Sequence, residues 1–262
     1  LISGCIDTQK VHISSAIASG YKYMLIVTSD EAKARKMCDD ASFFNKEAIY
    51  YPAKDAIFYS ADVHGNQITG ERLRCISRII NHSSTGEGVL TVVTTMDGIA
   101  DRLIPVERFK EAVITLDYSS EIDTERLAKK LVSMGFVRTG MVENKGEFAI
   151  RGGIIDIFSY TDEAPVRIEL WDTEVDSIRM FDVESQRSIE RLQSYSIFPA
   201  TEYIFTEDEL KNGLYNIKKE CDRQLECFDY GKRKRTKEQI EAGNNLNKLV
   251  ADVERTGNYE KF

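Results

Sequence analysis

The chain has 262 residues, 42% of them apolar and 30% charged, with a net charge of −8, which is the profile of a globular protein with room for two domains. No apolar run approaches a membrane span, and the acidic balance disfavours nucleic acid as a partner of the whole surface, leaving only a local basic patch for that role. Five cysteines without a CxxC pair, and three histidines without HExxH, argue for a reducing compartment and against structural zinc.

The chain opens at Leu1 inside an apolar stretch, with neither an initiator methionine nor a basic leader, so a piece of a longer protein is expected. Residues 1–11, LISGCIDTQKV, precede a helical pattern at Ile13, Ala16 and Ile17, and the apolar strand YMLIVTS ends at Ser29. Strand, glycine turn, helix and strand make a βαβ opening. The turn lies where a phosphate-binding loop would be. GxxxxGK[ST] needs glycine before the lysine so that backbone amides can close on phosphate, and a hydroxyl after it to ligate magnesium. Gly4 and Lys10 are in register with that pattern, but Gln9 and Val11 take the other two places. Glutamine brings a Cβ into the cradle, and valine cannot bind a metal. Two readings stand: a P-loop that has lost its function, or an ordinary βα turn with a chance glycine and lysine, which spacing alone favours.

Asp30 to Phe44 reads as an amphipathic helix with Ala34, Met37, Cys38 and Ala41 on one face, and AIYYPAKD follows as a short strand running into a loop. Glu71 to Asn81 is a further helix with Leu73, Ile76, Ile79 and Ile80 as its stripe. VLTVVTT is a continuous apolar strand of the kind buried in a parallel sheet. Thr94 to Arg108 lacks the acidic run that a nucleotide hydrolase of this architecture needs to hold magnesium. From Ala112 the periodicity changes. A strand AVITL is followed by a helix from Asp123 to Met134, with Leu127, Leu131 and Met134 on one side, and then by short strands through Ile197, so a domain boundary is placed near Asp117. Beyond Thr206 two charged helices are expected, Glu207 to Phe228 and Lys237 to Arg255, with the basic run GKRKRTK (231–237) between them read as a solvated junction.

The segment 147–181 is the most informative. Val166, Ile168 and Leu170 alternate with Arg167, Glu169 and Trp171, the period-two pattern of a strand with one buried face. Ile150 to Phe158 reads as its antiparallel partner across a Ser-Tyr-Thr-Asp-Glu-Ala-Pro turn. The expected register sets Phe158 opposite Val166, Asp156 opposite Ile168 and Gly153 opposite Trp171, with Arg151 diagonal to the indole. Two arginines and an indole would then share an exposed face, the usual composition of a protein-binding hot spot. The competing reading has Arg151 and Arg167 pairing with Glu169 or Asp156 across the sheet, and Trp171 packing under a neighbouring loop.

Residues 146–188 resemble the UvrB-like module at the N-terminus of bacterial transcription-repair coupling factors, through GEFAIRGGIIDIF, PVRIELWDTEVDSIRMFD and SQRS, with FPATE following and weaker similarity over most of the chain. UvrB has a related pattern but inserts a long aromatic hairpin, used to grip damaged DNA, between its counterparts of YPAKD and the GERLR helix. Only AIFYSADVHGNQIT fills that space here. The resemblance implies an α/β protein: a degenerate helicase-like (P-loop-type) α/β domain over 1–117, an inserted small α+β, mainly antiparallel sheet domain over 118–199, and helices over 200–262 that return to the first domain. It implies a bacterial, cytoplasmic DNA-repair adaptor that recruits UvrA, with Arg151, Arg167 and Trp171 on the family's contact positions. No cofactor is expected for this chain; ATP and magnesium belong to motor domains elsewhere in such proteins, as do the contacts to RNA polymerase and double-stranded DNA. The sequence departs from the family pattern at Ser159, where proline is common, at Trp171, where phenylalanine is common, and at Thr173 in the acidic turn. The alternatives are a nucleotide-dependent helicase or ATPase domain and a UvrB-like damaged-DNA-binding domain.

Overall fold

In the computed structural model the described residues are 3–45, 47–54, 62–86, 88–101 and 103–229, with 241, 243–245, 247–248 and 251 beyond them. The elements in order are α1 (Asp7–Ala18), β1 (Tyr23–Thr28), α2 (Glu31–Phe44), β2 (Ala48–Tyr51), α3 (Asp62–Thr85), β3 (Leu90–Thr95), α4 (Met96–Ala100) and α5 (Val106–Ala112). They continue as β4 (Ile114–Asp117), α6 (Thr124–Ser133), β5 (Val137–Arg138), β6 (Glu147–Arg151), β7 (Ile154–Phe158), β8 (Val166–Trp171), β9 (Glu174–Phe181), β10 (Ser188–Arg191), β11 (Ser194–Ile197) and α7 (Glu207–Asp229). Residues 1–204 form one compact unit and 205–262 a second. No helix of the described residues is long and apolar enough to cross a membrane. The basic run at 231–237, and residues 55–61 of the segment that stands where UvrB has its hairpin, lie outside the described residues.

The first sheet is parallel, in the order β1-β3-β2. β3 takes the centre because Leu90, Thr91, Val93, Thr94 and Thr95 are buried, as a strand covered on both sides requires. α2 packs against it through Ala34, Met37, Cys38 and Ala41, the face read from their spacing. Its start is set by Asp30, whose carboxylate accepts from the Lys33 N–H (2.8 Å). α3 is longer than the expected helix, because its first two turns are polar and carry no apolar stripe to announce them. α4 and α5 were not expected; five and seven residues are too short to show a helical period.

The second sheet has six strands, ordered β10-β9-β8-β7-β6-β5 and antiparallel except for the β5–β6 pair. α6 covers one face, where Leu127, Leu131 and Met134 meet Phe148, Ile155, Ile157, Ile168 and Ile178. Each such buried side chain contributes about 1.5–3 kcal/mol of transfer free energy. β4 pairs with β11, so the strand ending at Asp117 is shared with the segment that closes the sheet region.

Two expectations are corrected. Ile150–Phe158 is not one strand: Gly152, at φ 59°, turns the chain, and β6 and β7 form their own hairpin. The β7–β8 register is shifted by one residue, pairing Ile157 with Val166, Asp156 with Arg167 and Ile155 with Ile168. The expected register would have set a carboxylate against Ile168 in the core. The observed one joins like to like on both faces, because a one-residue slip moves every side chain of a strand to the opposite face.

Candidate functional site

The β6–β7 and β8–β9 turns lie at the same end of the sheet, as the antiparallel register requires. Gly153 joins them: its carbonyl accepts from the Leu170 N–H (2.7 Å), and a Cβ there would stand 2.9 Å from the Leu170 carbonyl oxygen. Trp171 follows at the last position of β8, before a tight turn in which Asp172 takes φ 58°. Its indole is 80% exposed.

Arg151 and Arg167 converge on one carboxylate. Arg167 grips Asp156 with both prongs, Nε to Oδ1 at 2.7 Å and Nη2 to Oδ2 at 2.9 Å, while Arg151 Nη2 donates to the same Oδ2 at 2.6 Å. Asp156 is buried, its side chain 2% accessible, so the ion pairs work in a less screened environment than a surface pair. Arg167 is fixed further by Gln186 Oε1 (2.8 Å) and by the Phe181 ring, 4.3 Å below its guanidinium carbon. Its side chain is 15% exposed, against 43% for Arg151. Next to this cluster Arg179 pairs with Glu169, which also accepts from Ser177 Oγ (2.9 Å).

The expectation of three accessible side chains therefore holds for Trp171 and, in part, for Arg151, and is corrected for Arg167. The competing reading was right about the Asp156 pairing and wrong about the indole. Asp156 was the residue to weigh more heavily, because a lone carboxylate inside the apolar run IIDIF must find a cation to be buried at all. The cluster holds no nucleophile–base pair. It offers a flat apolar surface beside guanidinium donors, and Nε and Nη1 of Arg151 make no hydrogen bond to the described residues.

The suspected phosphate turn looks different. Gly4 has φ 80°, but Gln9, Lys10 and Val11 lie inside α1 rather than in a loop. Lys10 Nζ is held by Asp7 (2.9 Å), Gln9 Oε1 accepts from the Ile6 N–H (3.2 Å) and Val11 is buried. Asp7 stands in the first turn, where its charge takes the place an anion would occupy. No strand precedes α1 among the described residues.

Residues 114–203 match the family described as UvrB interaction domain. The chain is 34% identical over 262 residues to a transcription-repair-coupling factor of Bacillus subtilis, covering 95% of this chain and 22% of that protein. It is 35% identical over 235 residues to one from Staphylococcus aureus, covering 86% and 20%. The chain thus spans about a fifth of the length of the curated relatives it matches.

Proposed function

We propose that this chain, which carries a UvrB interaction domain at residues 114–203 and is similar to transcription-repair-coupling factors along 95% of its length, is a DNA-repair adaptor that recruits UvrA through the surface around Trp171. The observation that carries this reading is an indole left 80% exposed at the end of an inner strand of a sheet that also carries two guanidiniums locked on one carboxylate. Exposing so large an apolar group has a solvation cost that a partner surface removes, and tryptophan with arginine is the residue pair most enriched in binding hot spots. The partner patch that fits is acidic and partly apolar. Arg151 reaches it directly. Arg167, mostly covered, acts by fixing Asp156 and through it Arg151.

The α/β portion, 1–117, is a nucleotide-free relic of a P-loop-type domain in this reading, the sheet portion, 118–199, is the UvrA adaptor, and 200–262 is a helical segment that follows it. The buried Val11 and the Asp7–Lys10 pair support the first point. RNA polymerase, double-stranded DNA, ATP and magnesium are contacts of other parts of the longer bacterial, cytoplasmic protein, and this chain catalyses nothing itself.

A pull-down with purified UvrA tests the proposal. The parent chain captures UvrA, and Trp171→Ala, which removes no side-chain hydrogen bond, ion pair or ring contact among the described residues, captures much less. Equal capture by both removes the Trp171 surface from the interaction.

A further inference from the structure

Within residues 1–204 a groove of about 1010 Å³ runs between the start of α3 and the sheet portion, lined by Gln67, Arg74, Asn144, Lys145, Tyr160 and Tyr203 among others. Its shape is built in. The Tyr160 ring is wedged between Gly70 of α3 and Gly146 before β6, and a Cβ at either glycine would stand 2.9 Å from a ring carbon.

Two cations in this groove are held by backbone carbonyls rather than by carboxylates among the described residues. Arg74 Nε donates to the Tyr160 carbonyl (3.1 Å), and Lys145 Nζ donates to the carbonyl of Asp162, two residues on in the same loop, while lying 5.2 Å from the Phe158 ring centre. Neither forms an ion pair with a described residue. This is unlike Arg35, Arg72, Arg78, Arg151, Arg167 and Arg179, each of which meets a carboxylate. Of the nearby acids, Glu163 is exposed and acts on Lys145 only through its charge, while Glu147 and Asp162 are engaged by other donors. Glu147 accepts from the N–H groups of Glu143 and Asn144 and from the Asn144 amide. Asp162 turns its carboxylate to Tyr195 Oη (2.5 Å) and Thr161 Oγ1 (3.0 Å). Burial, and then the charge of Arg74, push the Lys145 amine below its ordinary value, as expected where positive charge is left uncompensated, although Asp162 and Glu163 pull the other way.

We propose that this groove binds an acidic peptide segment, whose carboxylates take Arg74 and Lys145 while its backbone lies along Tyr160 and the polar side chains of Gln67 and Asn144. Charge complementarity selects the class: in a chain of net charge −8, two cations in a preformed groove suit a short run of carboxylates. A nucleic-acid backbone would call for a longer line of cations than these two. The site is separate from the Arg151–Trp171 surface and does not depend on its assignment.

The test is fluorescence anisotropy of a labelled hexaglutamate peptide with the 262-residue chain at low salt, against a hexaserine peptide and a dT oligonucleotide of matched length. Hexaglutamate binds and hexaserine does not; Arg74→Glu weakens binding by about tenfold, Lys145→Gln weakens it less, and Trp171→Ala leaves it unchanged. Arg74 is exposed, so its variant keeps the fold, and Arg74→Gln carries the test should Lys145→Gln unfold. The proposal is overturned if hexaglutamate does not bind, if Arg74→Glu binds it like the parent, or if the oligonucleotide binds more tightly and loses affinity with the same substitutions.

Discussion

Asp156 and Asp162 show how far a carboxylate's surroundings decide its role. Asp156 pairs with two arginines, and its side chain is 2% accessible. Asp156→Ala leaves the mostly covered Arg167 without its paired acid, and Arg167→Ala leaves the buried carboxylate to Arg151 alone. Either change is expected to lower stability by about 2–4 kcal/mol, read from urea midpoints, because breaking one side of a buried pair strands the other. Loss of UvrA binding in those variants would therefore report on the fold as much as on contact. Asp162 is the opposite case: burial pushes its carboxyl above the ordinary range, against the pull of hydrogen bonds from Tyr195 and Thr161. The folded state then holds its proton to higher pH than the unfolded chain, so stability falls as pH rises through the folded-state value and the deficit is complete above it. Asp162→Asn removes that charge and keeps an acceptor for Tyr195. It should melt at a higher temperature than the parent at pH 8, with the gap closing once the pH drops below the unfolded carboxylate value of about 4. A gap of the same size at both ends would mean that ionisation of Asp162 is not its source.

At the scale of elements, the turn Gly152–Gly153 sets the position of everything around Trp171. Gly153 lies against the backbone of Leu170, where nothing can yield by rotating, so Gly153→Ala should cost about 1–3 kcal/mol by shifting β7 against β8. Thermal melts measure it, and a parent-like melting temperature would show that the strands are free to adjust. At this turn the structure departs from the expected single strand. The alternation of Val166, Ile168 and Leu170 with Arg167, Glu169 and Trp171 was legible, since one buried face needs nothing more than period two. The partner strand was not, because IRGGIID is apolar on both sides of the glycine pair and looks continuous. α2 was legible to the residue on its buried face, as was β3 as a buried strand of a parallel sheet. Arg72 escaped notice altogether: no helical pattern announces an arginine that is 0% exposed, and its justification lies 130 residues away.

For the whole molecule, that arginine ties the α/β portion to the end of the sheet portion. Arg72 Nε and Nη2 donate to the two carboxylate oxygens of Glu202 (2.7 and 3.0 Å), its Nη1 donates to the Pro52 carbonyl (2.8 Å), and its guanidinium carbon stands 4.3 Å from the Tyr51 ring centre. Glu202 is the last residue of FPATE and Arg72 the middle residue of GERLR within α3, so these two stretches meet in one buried ion pair. In the proposed adaptor role, a buried link of this kind presents the anchor with less to order on binding. The most direct test of that adaptor role is a titration of purified UvrA with the parent chain and with Trp171→Ala, with melting temperatures recorded on the same samples. The account predicts unchanged melting, since an exposed side chain contributes within roughly half a kcal/mol to the fold, and an affinity lower by more than about tenfold. A Trp171→Ala chain that melts like the parent and binds UvrA with the same affinity would contradict it.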